Sequence, residues 1–176
     1  AVFTENWEGV EHLNVMGSGS MGAFSVLGEK FQRASCDFSY EDGNFYVTDL
    51  DIRHPGGVFS GKVMGGDGEI KIDVHSTLPM HAMLDMARSI APEDVKLPPT
   101  LEIKGDPELK VYGTVGMGKG WKGPFRVDRL QIEAAVTDVS YQGVEFASAA
   151  ARGELIGRSI NVTQLDLARE DGHVKL

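Results

Sequence analysis

The sequence predicts a β-rich α+β fold: a curved antiparallel sheet of repeated strands with one short amphipathic helix packed on it. Three observations carry this prediction. An octet near the N-terminal third recurs close to the C-terminus. Several runs alternate apolar and polar residues with period two, the signature of strands with one dry and one wet face. A single segment, after Pro79, changes to helical period.

The recurring octet is Phe45-Tyr46-Val47-Thr48-Asp49-Leu50-Asp51-Ile52. It returns 115 positions on as Ile160-Asn161-Val162-Thr163-Gln164-Leu165-Asp166-Leu167. The same offset aligns Phe31 with Phe146, Ala34 with Ala149 and Gly28 with Gly143 without a gap. Self-similarity at fixed spacing marks stacked architectures, which build long surfaces or grooves more readily than compact catalytic pockets. The first copy runs on into Pro55-Gly56-Gly57-Val58-Phe59-Ser60-Gly61, whereas the second stops soon after Asp171-Gly172-His173-Val174. The chain therefore reads as a single β-repeat domain over residues 1–176, its second copy incomplete at about 143–176. With Ala1 rather than Met at the start, it reads as a piece of a longer protein.

Along the chain, Gly17-Ser18-Gly19-Ser20-Met21-Gly22 suggests a loop or a frayed strand edge. It lacks the Gly-Lys-Ser/Thr ending and the helix of a phosphate-cradling loop. Cys36 sits in a strand-like run and is expected to be a small buried hydrophobe. Leu50 and Ile52 alternate with Asp49 and Asp51, and Ile70, Ile72 and Val74 with Lys71 and Asp73. Leu130, Ile132, Ala134 and Val136 alternate with Gln131, Glu133, Ala135 and Thr137, and Leu165 and Leu167 with Gln164 and Asp166. Asp42-Gly43, Asp67-Gly68 and Asp171-Gly172 fall beside such runs and predict hairpin turns, and His54-Pro55-Gly56-Gly57 predicts another turn. Met80, Met83, Leu84 and Ala87 then follow at helical spacing, with Asp85 and Arg88 off the stripe. A Ser76 or Thr77 cap and Pro79 in the first turn open a helix over Pro79–Ile90, which Pro92 and Leu97-Pro98-Pro99 close. Its methionines either pack on the sheet or form an adaptable lining for a greasy ligand.

Composition narrows the function. At 176 residues, 41% hydrophobic and 24% charged, one domain with a real core is expected. Glycine at 22 against proline at 7 fits many short strands joined by tight turns rather than disorder. A net charge of −9 with no basic run argues against nucleic acid and against docking on anionic headgroups. The lone Cys36 forms no intrachain disulfide and no Cys-based zinc site. No run of about 18 apolar residues is present to span a membrane as a helix.

The arrangement resembles the C-terminal region of AsmA-like envelope proteins. The resemblance is carried by the strand Phe45–Ile52 running into Pro55-Gly56-Gly57 and by a strand ending Val74-His75-Ser76. The Pro-initiated helix, the linker Leu97-Pro98-Pro99 and the strand Leu109-Lys110-Val111-Tyr112-Gly113 complete it. It covers about Leu13 to Val174. That family implies a taco-like β groove in Gram-negative envelopes, hence a periplasmic setting, and a role in outer-membrane assembly or lipid handling. It implies no catalytic residues and no cofactor. This chain departs from the family in being short and in lacking a membrane anchor.

The leading expectation is thus a noncatalytic envelope domain whose apolar strand faces screen acyl chains from water, at about 0.8 kcal/mol per buried methylene. The candidate lining residues are Ile70, Ile72, Val74, Leu130 and Ile132 on strands and Met80, Met83 and Leu84 on the helix. The alternative is an acid-type hydrolase, aspartic-peptidase-like, using the repeated pair Asp51 and Asp166 on peptide or glycoprotein. Neither lies in the Asp-Thr-Gly or Asp-Ser-Gly loop of such enzymes, and alternation puts both on a wet strand face. The histidines, His12, His54, His75, His81 and His173, have no helical metal-ligand spacing, and no Gly-x-Ser-x-Gly elbow occurs. A third reading is an interaction module that pairs another envelope protein along an open edge strand.

Overall fold

The structure is a computed structural model and describes residues 14–90, 100–116, 126–157 and 159–176. Pro92, Leu97-Pro98-Pro99 and His12, and the side chains of Ala87 and Arg88, lie outside the described residues. The elements run β1 (Val15–Met21), β2 (Phe24–Val26), β3 (Glu29–Phe31), β4 (Arg33–Glu41), β5 (Asn44–His54), β6 (Gly57–Gly66) and β7 (Glu69–Ser76). Then come α1 (Met80–Ile90), β8 (Leu101–Ile103), β9 (Pro107–Gly116), β10 (Arg126–Tyr141), β11 (Val144–Ile156), β12 (Ser159–Arg169) and β13 (Gly172–Lys175). One antiparallel sheet holds the order β1-β4-β5-β6-β7-β9-β10-β11-β12-β13, with β8 beside the end of β10, and β2 and β3 form a separate hairpin. The sheet stays open, with β1 and β13 as its edges.

The turns follow from left-handed residues. Asp42-Gly43, Asp67-Gly68, Leu27-Gly28 and Gln142-Gly143 all have positive φ at both positions. Such turns match the twist of the strands they join, and Asp and Gly reach this region most cheaply. The third predicted turn is displaced by one residue. Arg169 pairs with Gly172, so Glu170-Asp171 makes the bend and Gly172 already belongs to β13. Of the two readings of Gly17–Gly22, a loop or a strand edge, the second is nearer: Val15–Met21 is an edge strand, paired residue for residue with β4 rather than frayed, and Gly22 follows it. Cys36 is half-buried rather than buried; among the described residues no helix packs over β4.

The repeat is a repeat of register. Advancing by 115 carries Val15↔Tyr40 through Met21↔Ala34 of β1–β4 onto Leu130↔Leu155 through Val136↔Ala149 of β10–β11. It carries Ala34↔Ile52 of β4–β5 onto Ala149↔Leu167 of β11–β12, and both pairings slip at the corresponding place, near Asp37 and near Arg152. His54↔Gly57 of β5–β6 becomes Arg169↔Gly172 of β12–β13. The second copy therefore reaches back to Leu130, further than the octet alone indicates.

The helix begins one residue later than expected, at Met80, with Met83 N–H donating to the Pro79 carbonyl at 3.1 Å. Thr77 is not its cap. Its hydroxyl accepts the Val58 N–H at 3.1 Å and its own N–H donates to the Val58 carbonyl at 2.8 Å, so it extends the β6–β7 ladder. The Ser76 hydroxyl takes the Leu78 N–H at 3.2 Å instead. Leu78 and Ala82 are buried beside this junction, whereas the other large apolar side chains buried among the described residues are Phe31, Pro107, Leu130 and Val139. That short core has a geometric cause. Ten strands at about 4.8 Å span roughly 43 Å. An 11-residue helix is about 16 Å long and about 10 Å wide, too small to cover such a sheet.

Candidate functional site

Register assigns every strand residue to one of two faces. Moving across the sheet at mid-height, one face carries Phe38, Val47, Val63, Ile72, Gly113, Leu130 and Leu155. A second row carries Cys36 or Ala34, Ile52, Phe59, Ser76, Leu109, Ala134, Ala151 and Leu165. No charged side chain interrupts either row. Alternation with period two is the cause: a strand that presents Leu165 and Leu167 to one side presents Gln164 and Asp166 to the other.

Glycines shape this face. Gly113 sits opposite both Ile72 and Leu130 with φ +144, and a Cβ there would press on the Arg129 carbonyl. A strand glycine of this kind marks a close backbone approach. Gly17 makes room for the Phe38 ring, whose Cζ would lie 2.9 Å from a Cβ at that position.

All the lining residues expected from the sequence fall on this face, in two groups. Met80, Met83 and Leu84 hang over the sheet and enclose a cavity of about 370 Å³ with Leu109, Val136 and Leu165. The Ser76 hydroxyl lies 3.6 Å from the Met83 sulfur and closes one side. Ile70, Ile72 and Val74 lie on β7, outside the cavity, and Leu130 and Ile132 lie farther along β10; of the five, Leu130 alone is buried. The residues the sequence did not single out are Ile103, Pro107, Leu109, Ala149, Ala151 and Leu165. Ala149 and Ala151 are too small to draw attention, yet they create the space beneath the methionines. The face is open beyond the cavity: Ile160 and Val162 are 67% and 65% exposed and Phe38 is 42% exposed.

The opposite face is a ladder of ion pairs. Arg53 holds Asp51 at 2.9 Å, Lys62 meets Asp73 at 3.3 Å, and Arg129 grips Glu154 at 2.7 Å. Glu108 lies 3.2 Å from Lys110 and 3.1 Å from His75. The Lys110 ammonium, by hydrogen bond and charge, and more weakly His75, hold the Glu108 carboxyl below its ordinary range. Exposed pairs of this kind are screened by water and add little to stability.

Asp51 and Asp166 both lie on this polar face, but the structure does not bring them together. β6, β7, β9, β10 and β11 stand between β5 and β12, about 29 Å along the sheet. Each has its own partners: Arg53 and Arg33 for Asp51, Gln164 and Lys175 for Asp166. Among the described residues no three His, Cys, Asp or Glu side chains gather as a metal site, and no helix is long and apolar enough to cross a membrane. Scans against protein-family models, curated protein sequences and solved structures return no match.

Proposed function

We propose that this chain is a noncatalytic cell-envelope unit that holds acyl chains on its apolar face, in lipid handling or outer-membrane assembly. The observation that carries the reading is the apolar face, most of it open among the described residues, with α1 over part of it and the β2–β3 hairpin meeting β5 at His54. Soluble proteins rarely leave a contiguous apolar surface of this extent without a use for it. Acyl chains suit it, because each methylene moved out of water gains about 0.8 kcal/mol without any directional partner. About eight methylenes would gain roughly 6 kcal/mol, before the cost of ordering the chain. The charged ladder stays on the far side, where water keeps the strands soluble. The AsmA-like pattern of strands, helix and strands agrees with this reading and supplies the envelope setting.

Native mass spectrometry of the chain purified from a Gram-negative host tests it, with a lipid extract of the same sample run beside it. Phospholipid or fatty-acid adducts that survive desalting are expected. A clean apo mass, unchanged after incubation with phospholipid vesicles, would sink the proposal.

A further inference from the structure

The register repeat says something about β1 that no single strand would. β1 is the counterpart of β10, pair for pair, yet β10 is flanked on both sides and β1 on one. β10 pairs with β11 over Leu130–Tyr141 and with β9 over Arg126–Val136. β1 pairs with β4, and among the described residues nothing lies along its other side.

The two edges of the sheet are also built differently. β13 has four residues, ends in Lys175 and leaves the first half of β12 bare behind a register slip. Short length, lysine and irregular pairing are ways to blunt an edge against further strands. β1 has none of them. Val15–Met21 holds no charge and no proline, and its seven residues pair with β4 without a slip. Among the described residues its outward N–H and C=O groups therefore form an unpaired, unguarded row.

We infer that the outer edge of β1 is a binding site for an extended polypeptide strand of the β9 pattern, added antiparallel. Transferring the β9–β10 register sets the details. Lys110 pairs with Glu133, the counterpart of Ser18, and Leu109 and Val111 pair with the counterparts of Gly19 and Gly17. The incoming strand thus places an apolar residue opposite Gly17 and Gly19 and a polar residue opposite Ser18. Gly19 leaves open space on the apolar face for a large side chain from the partner, whereas the Phe38 ring already fills the space over Gly17 and offers an apolar contact there, and the absence of charge in β1 sets no electrostatic demand opposite it. The strand would lengthen the apolar face by one rung. This inference rests on register and edge chemistry, and it stands or falls independently of acyl-chain binding.

The test uses a synthetic peptide with the sequence Pro107–Gly116 and the intact chain. Hydrogen exchange is followed on β1 amides while the peptide is titrated by fluorescence anisotropy. Slowed exchange at alternate β1 amides is expected, because only every second residue of an edge strand points outward. Two further peptides carry backbone N-methyl groups at odd or at even positions. One should bind at least about tenfold more weakly and the other nearly as well as the parent. Equal loss in both peptides, protection at β13 instead of β1, or self-association of the chain with no peptide uptake would each overturn the inference. A peptide of scrambled order that binds as tightly would do the same.

Discussion

Two adjacent alanines test the division of the sheet into a dry and a wet face. Ala151 stands opposite Ala134 and Leu165 and borders the cavity beneath Met83 and Leu84. Ala150 stands opposite Ala135 and Asp166, among the charged rungs of the other face. Glutamine at either position makes the same chemical change in the same strand. In Ala151→Gln the amide enters a site walled by Leu109, Val136 and Leu165, where nothing answers its hydrogen bonds. An unpaired amide displacing or meeting an acyl chain costs about 1–3 kcal/mol, so acyl affinity should fall by about 5- to 150-fold. In Ala150→Gln the amide meets water and the Asp166 carboxylate, and both affinity and stability should stay within about 0.5 kcal/mol of the parent. Displacement of a fluorescent fatty acid by unlabelled dodecanoate reads the affinity, and urea unfolding confirms that both variants fold. Equal losses in the two variants, or a greater loss in Ala150→Gln, would refute the assignment of faces and with it the acyl-chain proposal.

Other consequences follow from the same geometry. Gly113→Ala combines φ +144 with a Cβ pressed on the Arg129 carbonyl, whereas Gly28→Ala at φ +89 meets nothing within 4 Å. Urea denaturation should show Gly113→Ala to be the costlier, by about 1–3 kcal/mol beyond the roughly 1 kcal/mol of an ordinary left-handed alanine; equal costs would mean that the strand is not pinched there. Lys110→Ala removes the main cause of the lowered Glu108 pKa, so carbon-detected titration should place that pKa nearer its ordinary value. Because the folded value is the depressed one, the Lys110–Glu108 contribution to stability is present above the unfolded carboxylate pKa of about 4.3 and fades as pH falls through the folded value. An unchanged Glu108 titration in the variant would show that His75, not Lys110, sets it. Asp51→Asn and Asp166→Asn should be additive in unfolding free energy to within about 0.5 kcal/mol, as expected for sites with no shared partner. A larger coupling in the double mutant would bring the carboxylate-pair hydrolase back.

Much of the fold was legible in the sequence where period and turn chemistry coincide. Ile70, Ile72 and Val74 alternate strictly beside Asp67-Gly68, and the result is a clean β6–β7 hairpin. The equivalence of β1 and β10, the first strands of the two copies, was not legible, for a physical reason. Gly17 faces Phe38 in β1–β4, whereas Ile132 faces Gly153 in β10–β11. The large and the small partner have changed places, which keeps the pair filled while removing all identity between the strands. Packing conserves the sum across a rung, whereas sequence comparison sees each member alone. The bulge at Asp49, φ +49, was hidden likewise, because Asp tolerates the left-handed region without advertising it. Of the candidate site, Met80, Met83 and Leu84 stood out by helical spacing. The floor under them did not, since Ala149 and Ala151 matter for the atoms they lack.

The one-sided sheet and the repeat are two aspects of a single constraint. A sheet of this width ordinarily buries its apolar face against a second layer of comparable size. Among the described residues the one helix covers only part of the face, and residues such as Val63, Ile72 and Val111 are half-exposed. Folding then gains less from burial than the composition would allow, at about 25 cal/mol for each Å² left in water. Backbone ladders, tight left-handed turns and the ion-paired far side keep the strands in register without a full core. An acyl chain bound as proposed would offset the exposed area directly and so couple occupancy to stability. Duplicating such a unit extends the face without enclosing it, since each copy adds strands at an edge rather than a roof above the sheet. Length of apolar surface, more than depth of any pocket, is therefore what this architecture multiplies.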